Sequence, residues 1–232
     1  MMDGRTFLGV VAARGGSKRI PRKNLRTLGD RPLVAWAIEA GKRSQRLDRL
    51  ILSSEDEEII ATARQWGCEA PFVRPRELAD DLTPGVDTVI HAITQLPDFD
   101  YVVLLQPTSP LRVAEDIDGC ISLCLSRKAP ACVSVTRLEH GAQVIYRMED
   151  SGRLFPVEPA AHTGMPLWRL NGAVYVAECR WLLANRSFLT PEAIGYEMPC
   201  GRSVDIDSEA DLAYAAFLLS QRDHAEGTTT AL

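Results

Sequence analysis

Five basic side chains crowd residues 10–24, VVAARGGSKRIPRKN: Arg14, Lys18, Arg19, Arg22 and Lys23, with no acid among them, in a chain of net charge −5 at pH 7. The apolar run Phe7–Ala13 ahead of them reads as a buried strand, and Gly15-Gly16 then frees the backbone to turn. A glycine turn after a strand brings amide N–H groups close to a ligand, and the cations add opposite charge. That combination suits a polyphosphate, with a solvated basic loop as the plainer reading. The Walker pattern needs four residues between its first glycine and a Gly-Lys pair, and the dinucleotide fingerprint needs G-x-G-x-x-G. The loop has neither, which argues against a P-loop NTPase and a nicotinamide-dependent dehydrogenase.

A second group with chemical potential is Val204-Asp205-Ile206-Asp207. Along an extended strand alternate residues share a side, so the two carboxylates face one way and Ile206 the other. Neighbouring carboxylates repel unless a cation lies between them. Mg²⁺ binds through one or two carboxylates together with phosphate oxygens and water. The same residues could instead open the last helix, with Asp207 or Ser208 as its N-cap and Asp211 completing a box.

These residues must be positioned by the elements around them. Short apolar strands at Phe7–Ala13, Arg49–Ser53, Tyr101–Leu105 and Cys132–Thr136 alternate with amphipathic helices at Pro32–Gly41, Glu55–Trp66, Val86–Leu96 and Ala114–Ser126. Ser54 with Glu57 reads as a capping box opening the second helix. Strands without polar alternation, separated by helices, imply a parallel sheet covered on both faces. Ligands of such sheets bind at the carboxyl ends of the strands, where the basic loop falls. Between about 137 and 170 glycines and prolines break every period, with Ile145, Tyr146, Phe155 and Trp168 among them. An irregular segment rich in apolar side chains suggests an extension that packs on a second subunit. The pattern resumes at Gly172–Ala177 and closes with a helix from Ser208 to about Arg222, leaving 224–232 as an expected disordered tail. Residues 1–223 then form one domain.

Composition agrees with an ordinary globular protein: 232 residues, 46% hydrophobic and 25% charged. No apolar run approaches the roughly 20 residues of a membrane span, and MMDGRT lacks a signal-peptide profile. Mild acidity disfavours non-specific nucleic-acid binding. The six cysteines contain no C-x-x-C pair, so they are expected as buried free thiols in a reducing cytoplasm. The four histidines show no ligand spacing, and His91 reads as a packed or surface residue.

Four blocks together resemble the acylneuraminate cytidylyltransferase family, the CMP-sialic acid synthetases and their legionaminic and pseudaminic acid relatives. They are VVAARGGSKRIPRKN at 10–24, FVRPRELADD at 72–81, LLQPTSPLR at 104–112, and RLNGAVYV with SVDIDSEADL at 169–176 and 203–212. The form G-G-S-K-x-x-x-x-K-N favours the sialate branch over CMP-KDO synthetases and methylerythritol cytidylyltransferases. The resemblance implies a three-layer, Rossmann-like nucleotidyltransferase fold and a homodimer. It also implies a reaction, in which the anomeric hydroxyl of a nine-carbon 2-keto acid sugar attacks the α-phosphate of CTP, giving a CMP-sugar and pyrophosphate. Such chemistry asks the protein mainly to position reactants and neutralise developing charge. By that likeness Arg14, Ser17, Lys18, Lys23 and Asn24 cradle the triphosphate, with Lys23 on the reacting phosphate. Arg74 would read cytosine, Asp205 and Asp207 would hold Mg²⁺, and Gln106, Arg169, Asn171 and Tyr175 would face the sugar.

The chain departs from the family pattern in three places. Ala161-His162 stands where an Arg-Gln pair is usual, and no arginine lies between Arg153 and Arg169. Gly85 replaces a small hydroxyl residue, and Glu55 replaces an aspartate. The acceptor could therefore be another 2-keto acid sugar, such as legionaminic, pseudaminic or KDO acid. A non-catalytic nucleotide-binding subunit would be expected to have lost one of Lys23, Asp205 or Asp207, all of which are present.

Overall fold

A computed structural model describes residues 4–80, 83–138, 145–157 and 166–229. The first apolar run forms β1 (Phe7–Ala12), buried along nearly its whole length, and the basic loop follows it. A short antiparallel pair, β2 (Thr27–Leu28) and β3 (Arg31–Pro32), then leads into α1 (Leu33–Arg43). Next come β4 (Arg49–Ser53), α2 (Glu57–Gln65), α3 (Gly85–Gln95), β5 (Tyr101–Leu105), α4 (Ala114–Ser126) and β6 (Ala131–Arg137). The remainder comprises the hairpin β7 (Tyr146–Met148) and β8 (Leu154–Pro156), a long β9 (Trp168–Glu178), α5 (Cys179–Asn185), β10 (Ile194–Glu197) and α6 (Glu209–Thr229).

Six strands make one sheet in the order β10-β6-β9-β5-β1-β4. The pairs β1–β4, β1–β5 and β10–β6 are parallel, while β9 runs antiparallel between β5 and β6. One apolar cluster joins β1, α1, α2 and α4 on one face, and a second joins β1, β5, α3 and α5 on the other. The three layers expected from the alternation of elements are thus present, with a mostly parallel sheet. A third cluster, including Ile20, Leu28, Leu111, Ile206 and Leu212, ties the basic loop, the loop after β5 and α6 together. Because chain order reverses between β1 and β5, their carboxyl ends open a crevice of the kind where ligands of open α/β sheets bind.

Several local expectations are corrected. The cap of α2 is Asp56, not Ser54: its carboxylate accepts from the Glu58 and Ile59 N–H groups, both at 3.0 Å. Asp56 lies one residue before the helix with extended backbone, so its short side chain folds back onto the first turn. The segment Val204–Asp207 is extended but joins no sheet. Ile206 N–H donates to Thr108 O at 2.8 Å and Asp207 N–H to Asp211 Oδ2 at 3.1 Å, and the expected alternation survives, with Val204 and Ile206 buried. Helix α6 runs through Thr229, past its expected end and into the stretch expected as a tail. Five cysteines are buried but Cys200 is exposed. Burial pushes the Cys68, Cys124 and Cys179 thiols up to about 12, which keeps them inert.

Candidate active site

A cleft of about 570 Å³ opens at the carboxyl ends of β1 and β5, lined in part by Arg14, Ser17, Lys23, Asn24, Arg74, Gln106, Tyr175, Asp205 and Asp207. Nine residues separated by up to 193 positions in the chain are thereby brought to one place. A larger hollow of about 1100 Å³ lies at the other end of the sheet, where Arg5, Lys128 and Arg180 mix with Asp98, Asp100 and Glu178. Neither the basic loop nor the aspartate pair reaches it, so its size carries no functional weight.

The basic loop is pinned at several points. Asn24 Nδ2 donates to Arg14 O at 2.8 Å, and Arg14 Nη1 donates to Ala79 O at 3.3 Å. Asn24 therefore shapes the loop from a nearly buried position, as well as lining the cleft. Gly15 is required for close approach, since a Cβ there would sit 2.3 Å from Asp56 Oδ2. Its N–H donates to Glu55 Oε1 at 2.7 Å, so a carboxylate takes an amide that the sequence directs toward phosphate. Arg22 has left-handed backbone, φ 56°, and its guanidinium is bound by Asp56 and Glu58. That contact holds the Asp56 carboxyl below its usual range and sets Arg22 on the flank. Lys18 is exposed and lies outside the cleft lining.

Lys23 is the loop residue that crosses to the aspartates. Its Nζ donates to Ile206 O at 2.7 Å and Asp207 Oδ1 at 3.1 Å, and Arg19 lies 3.2 Å from Asp207 Oδ2. Burial raises the Asp205 pKa, the neighbouring Asp207 charge adds to this, and a Thr108 hydrogen bond with Lys23 and Arg169 opposes it. The helix cap falls to other residues. Ser208 N–H donates to Asp211 Oδ2 at 2.7 Å and Asp211 N–H returns a bond to Ser208 Oγ at 3.3 Å. Asp205 and Asp207 are thus left with their carboxylates toward the cleft.

The loop after β5 carries residues that sequence reasoning missed. Arg112 is buried and donates from Nη1 to Ala173 O at 2.6 Å and Gln106 O at 3.1 Å. Burial lowers its pKa to about 10, against the opposing charge of Asp116. Ser109 Oγ donates to Asn171 O at 3.0 Å. Gly172 is left-handed, φ +70°, and a Cβ there would sit 3.6 Å from both Asp205 Oδ2 and Gln106 Nε2. Its signal was the N-G pair, a common mark of positive φ. For Arg112 nothing local distinguishes a buried clamp from a surface cation.

The sugar-side residues separate in space. Gln106 and Tyr175 line the cleft, and Tyr175 packs against Phe188 with ring centroids 5.5 Å apart. Arg169 is exposed beside the segment, with Nη2 3.4 Å from Ser203 O. Asn171 is fully buried and lies outside the cleft lining. Its Oδ1 accepts from Ser134 Oγ at 2.6 Å and Ala173 N–H at 3.2 Å, and its Nδ2 donates to Ser203 Oγ at 2.9 Å. Asn171→Ala should therefore cost about 2–4 kcal/mol of stability by leaving several buried groups unpaired. Thermal melts should show the loss while the KM for the acceptor stays near normal, and a raised KM at unchanged stability would refute this. Gly85 opens α3 at the cleft, and a Cβ there would meet nothing within 4 Å. The Ala161-His162 pair lies outside the described residues.

A three-layer α/β fold with cations facing paired carboxylates at the switch point describes a nucleotide-handling enzyme of the nucleotidyltransferase class. A family model described as Cytidylyltransferase matches residues 8–151. The chain belongs to the cytidylyltransferase family. It is 30% identical to a CMP-N,N'-diacetyllegionaminic acid synthase of Legionella pneumophila, covering 94% of this chain and 98% of the relative. An N-acylneuraminate cytidylyltransferase of Escherichia coli is 29% identical over 94% of this chain and 53% of its own length. A pseudaminic acid cytidylyltransferase of Campylobacter jejuni is 29% identical over 90% of this chain and 94% of its own. The fold matches a solved CMP:2-keto-3-deoxy-manno-octonic acid synthetase complexed with CTP, at TM-score 0.72 and 15% identity, covering 94% of this chain and 99% of that one.

Proposed function

We propose that this enzyme transfers the cytidylyl group of CTP to the anomeric hydroxyl of a nonulosonic acid, releasing pyrophosphate. The observation that carries this reading is the position of Lys23, which spans from the glycine loop to the Asp205–Asp207 segment across the cleft. A triphosphate bound in the cleft beside this contact would meet Lys23, Arg14 and Ser17 together with the carboxylates. Two like charges on one face, with Asp205 raised by burial and by Asp207, suit a divalent cation. Mg²⁺ commonly takes one or two carboxylates and completes its shell with phosphate oxygens and water. Asp205 and Asp207 would hold Mg²⁺, which when bound would neutralise charge on the phosphates. Lys23 and Arg14 orient the phosphates for in-line attack, and Arg74 meets the base. Gln106 and Tyr175 form the cleft wall beside Asp205, with Arg169 at its margin, and would orient the sugar.

Acceptors named for the relatives make sialic, legionaminic and pseudaminic acids the first candidates, with KDO acid as the outlier. Purified protein incubated with CTP, Mg²⁺ and each acid in turn should release pyrophosphate with at least one of them. Failure with every 2-keto acid sugar would overturn the reading.

The broken segment 137–170 contributes an exposed hairpin, β7–β8, whose Met148 and Leu154 are 70% and 60% exposed, with Tyr146 and Phe155 beside them. Such an unshielded apolar surface supports a homodimer in which each hairpin lies near the partner's acceptor pocket. Met148→Asp with Phe155→Asp should convert the protein to a monomer in light scattering and lower its activity. A fully active monomer at micromolar concentration, before any substitution, would end the dimer proposal.

A further inference from the structure

Glu55, which replaces the aspartate usual in the family pattern, stands at the junction of β4 and α2, and its carboxylate joins two parts of the site. Oε2 accepts from Arg74 Nη2 at 2.5 Å, and Oε1 accepts from the Gly15 N–H at 2.7 Å. We infer that Glu55 is a positioning residue that sets nucleobase selectivity by fixing Arg74, and that it links base recognition to the conformation of the phosphate loop. The inference rests on the cytidylyl-transfer reading above.

The pair is desolvated, with the Arg74 and Glu55 side chains only 4% and 13% exposed. Arg74 Nη2 also donates to Ala13 O at 3.2 Å, and Nη1 donates to Thr88 Oγ1 at 3.3 Å. These bonds leave the guanidinium plane no freedom to swing. Its Nε is buried and, among the described residues, has no hydrogen-bond partner, although Arg74 lines the cleft. The bonds to Glu55, Ala13 and Thr88 use three of the five guanidinium N–H groups, so Arg74 retains donor capacity at the wall of the cleft. Cytosine offers acceptors at its ring nitrogen N3 and at O2, whereas uracil carries a hydrogen on N3. A guanidinium held in one orientation therefore favours cytosine and meets uracil donor to donor. If the plane could tilt, it would reach a uracil oxygen instead, and selectivity would fall.

Only a carboxylate of this length satisfies both arms. Glutamine accepts at one atom only and would turn an NH₂ toward a second donor. Aspartate is one methylene shorter and cannot keep both contacts at these distances. A purely structural ion pair would change stability alone, since breaking a buried pair strands a charge. A positioning role changes the ratio of two ligands that differ only in the base.

Equilibrium binding of CTP and of UTP, by calorimetry without acceptor sugar, tests this with no dependence on turnover. Wild-type protein should prefer CTP. Glu55→Gln should lose roughly 10- to 100-fold of that preference, the scale of one charged hydrogen bond removed from a selective site. In an Arg74→Ala background the same Glu55→Gln change should alter the ratio by no more than about twofold, because both act through one contact. An unchanged ratio in folded Glu55→Gln overturns the inference, as does an equal loss for both nucleotides. Should Glu55→Gln fail to fold, Glu55→Asp keeps the charge and should still lose selectivity, and a wild-type ratio there overturns the inference equally. Wild-type protein that binds CTP no better than UTP would instead overturn the cytidylyl-transfer reading itself.

Discussion

Lys23→Ala is expected to lower kcat by about two to three orders of magnitude, the scale of removing one preorganised charge from a developing phosphate. The side chain is only 14% exposed and is already aimed across the cleft by its bonds to Ile206 O and Asp207 Oδ1. Its charge therefore acts from a fixed position and costs no reorganisation when the triphosphate arrives. Stability should change little, because its ion-pair partner Asp207 is 56% exposed and screened by water. Steady-state kinetics beside thermal melts separate the two effects. Near-normal turnover in a folded Lys23→Ala protein would remove the loop from the catalytic assignment.

Asp205→Asn and Asp207→Asn should each abolish activity or demand far more Mg²⁺, without unfolding the protein. Chelation of the wild-type enzyme should stop the reaction, and added Mg²⁺ should restore it. The Ser208–Asp211 box caps α6 without either carboxylate, so the substitutions leave that cap in place. For Asp205 the pH dependence has a definite sign. Its folded-state pKa lies above the ordinary 3.8, first because burial disfavours the charge and then because Asp207 is near. Between these two values the folded state holds a proton that the unfolded state does not, so this group favours folding as pH falls through that window. At neutral pH the ionised carboxylate is a burden on the fold, and Asp205→Asn should leave stability equal or higher. Full activity of both variants at ordinary Mg²⁺ concentrations would exclude these aspartates as the metal site.

Much of the frame was legible in the residues alone. The runs FLGVVA and YVVLL lack polar alternation because both faces of β1 and β5 are covered, and that alone implied a parallel sheet between helices. The basic loop could be placed at a carboxyl end because glycines and cations follow β1 directly. The alternation of Val204 and Ile206 with Asp205 and Asp207 is a local property of extended chain, so it held although the segment belongs to no strand.

Other features depended on which distant segments became neighbours. The pattern of β9 marks a buried strand but carries no direction, and its antiparallel insertion between β5 and β6 brings Gly172 to Asp205 and Gln106. Asn171 resembled a sugar contact in the sequence, yet Ser134 and Ser203, 37 and 32 residues away, enclose its amide. Arg112 and Glu55 look like ordinary charged residues until folding sets one on the carbonyls of Gln106 and Ala173 and the other between Gly15 and Arg74. Periodicity reports which face of an element is buried, because that depends on repeat lengths of two or 3.6 residues. A hydrogen bond such as that from Lys23 to Ile206, 183 residues apart, depends on strand order and loop path, which only the packed chain determines.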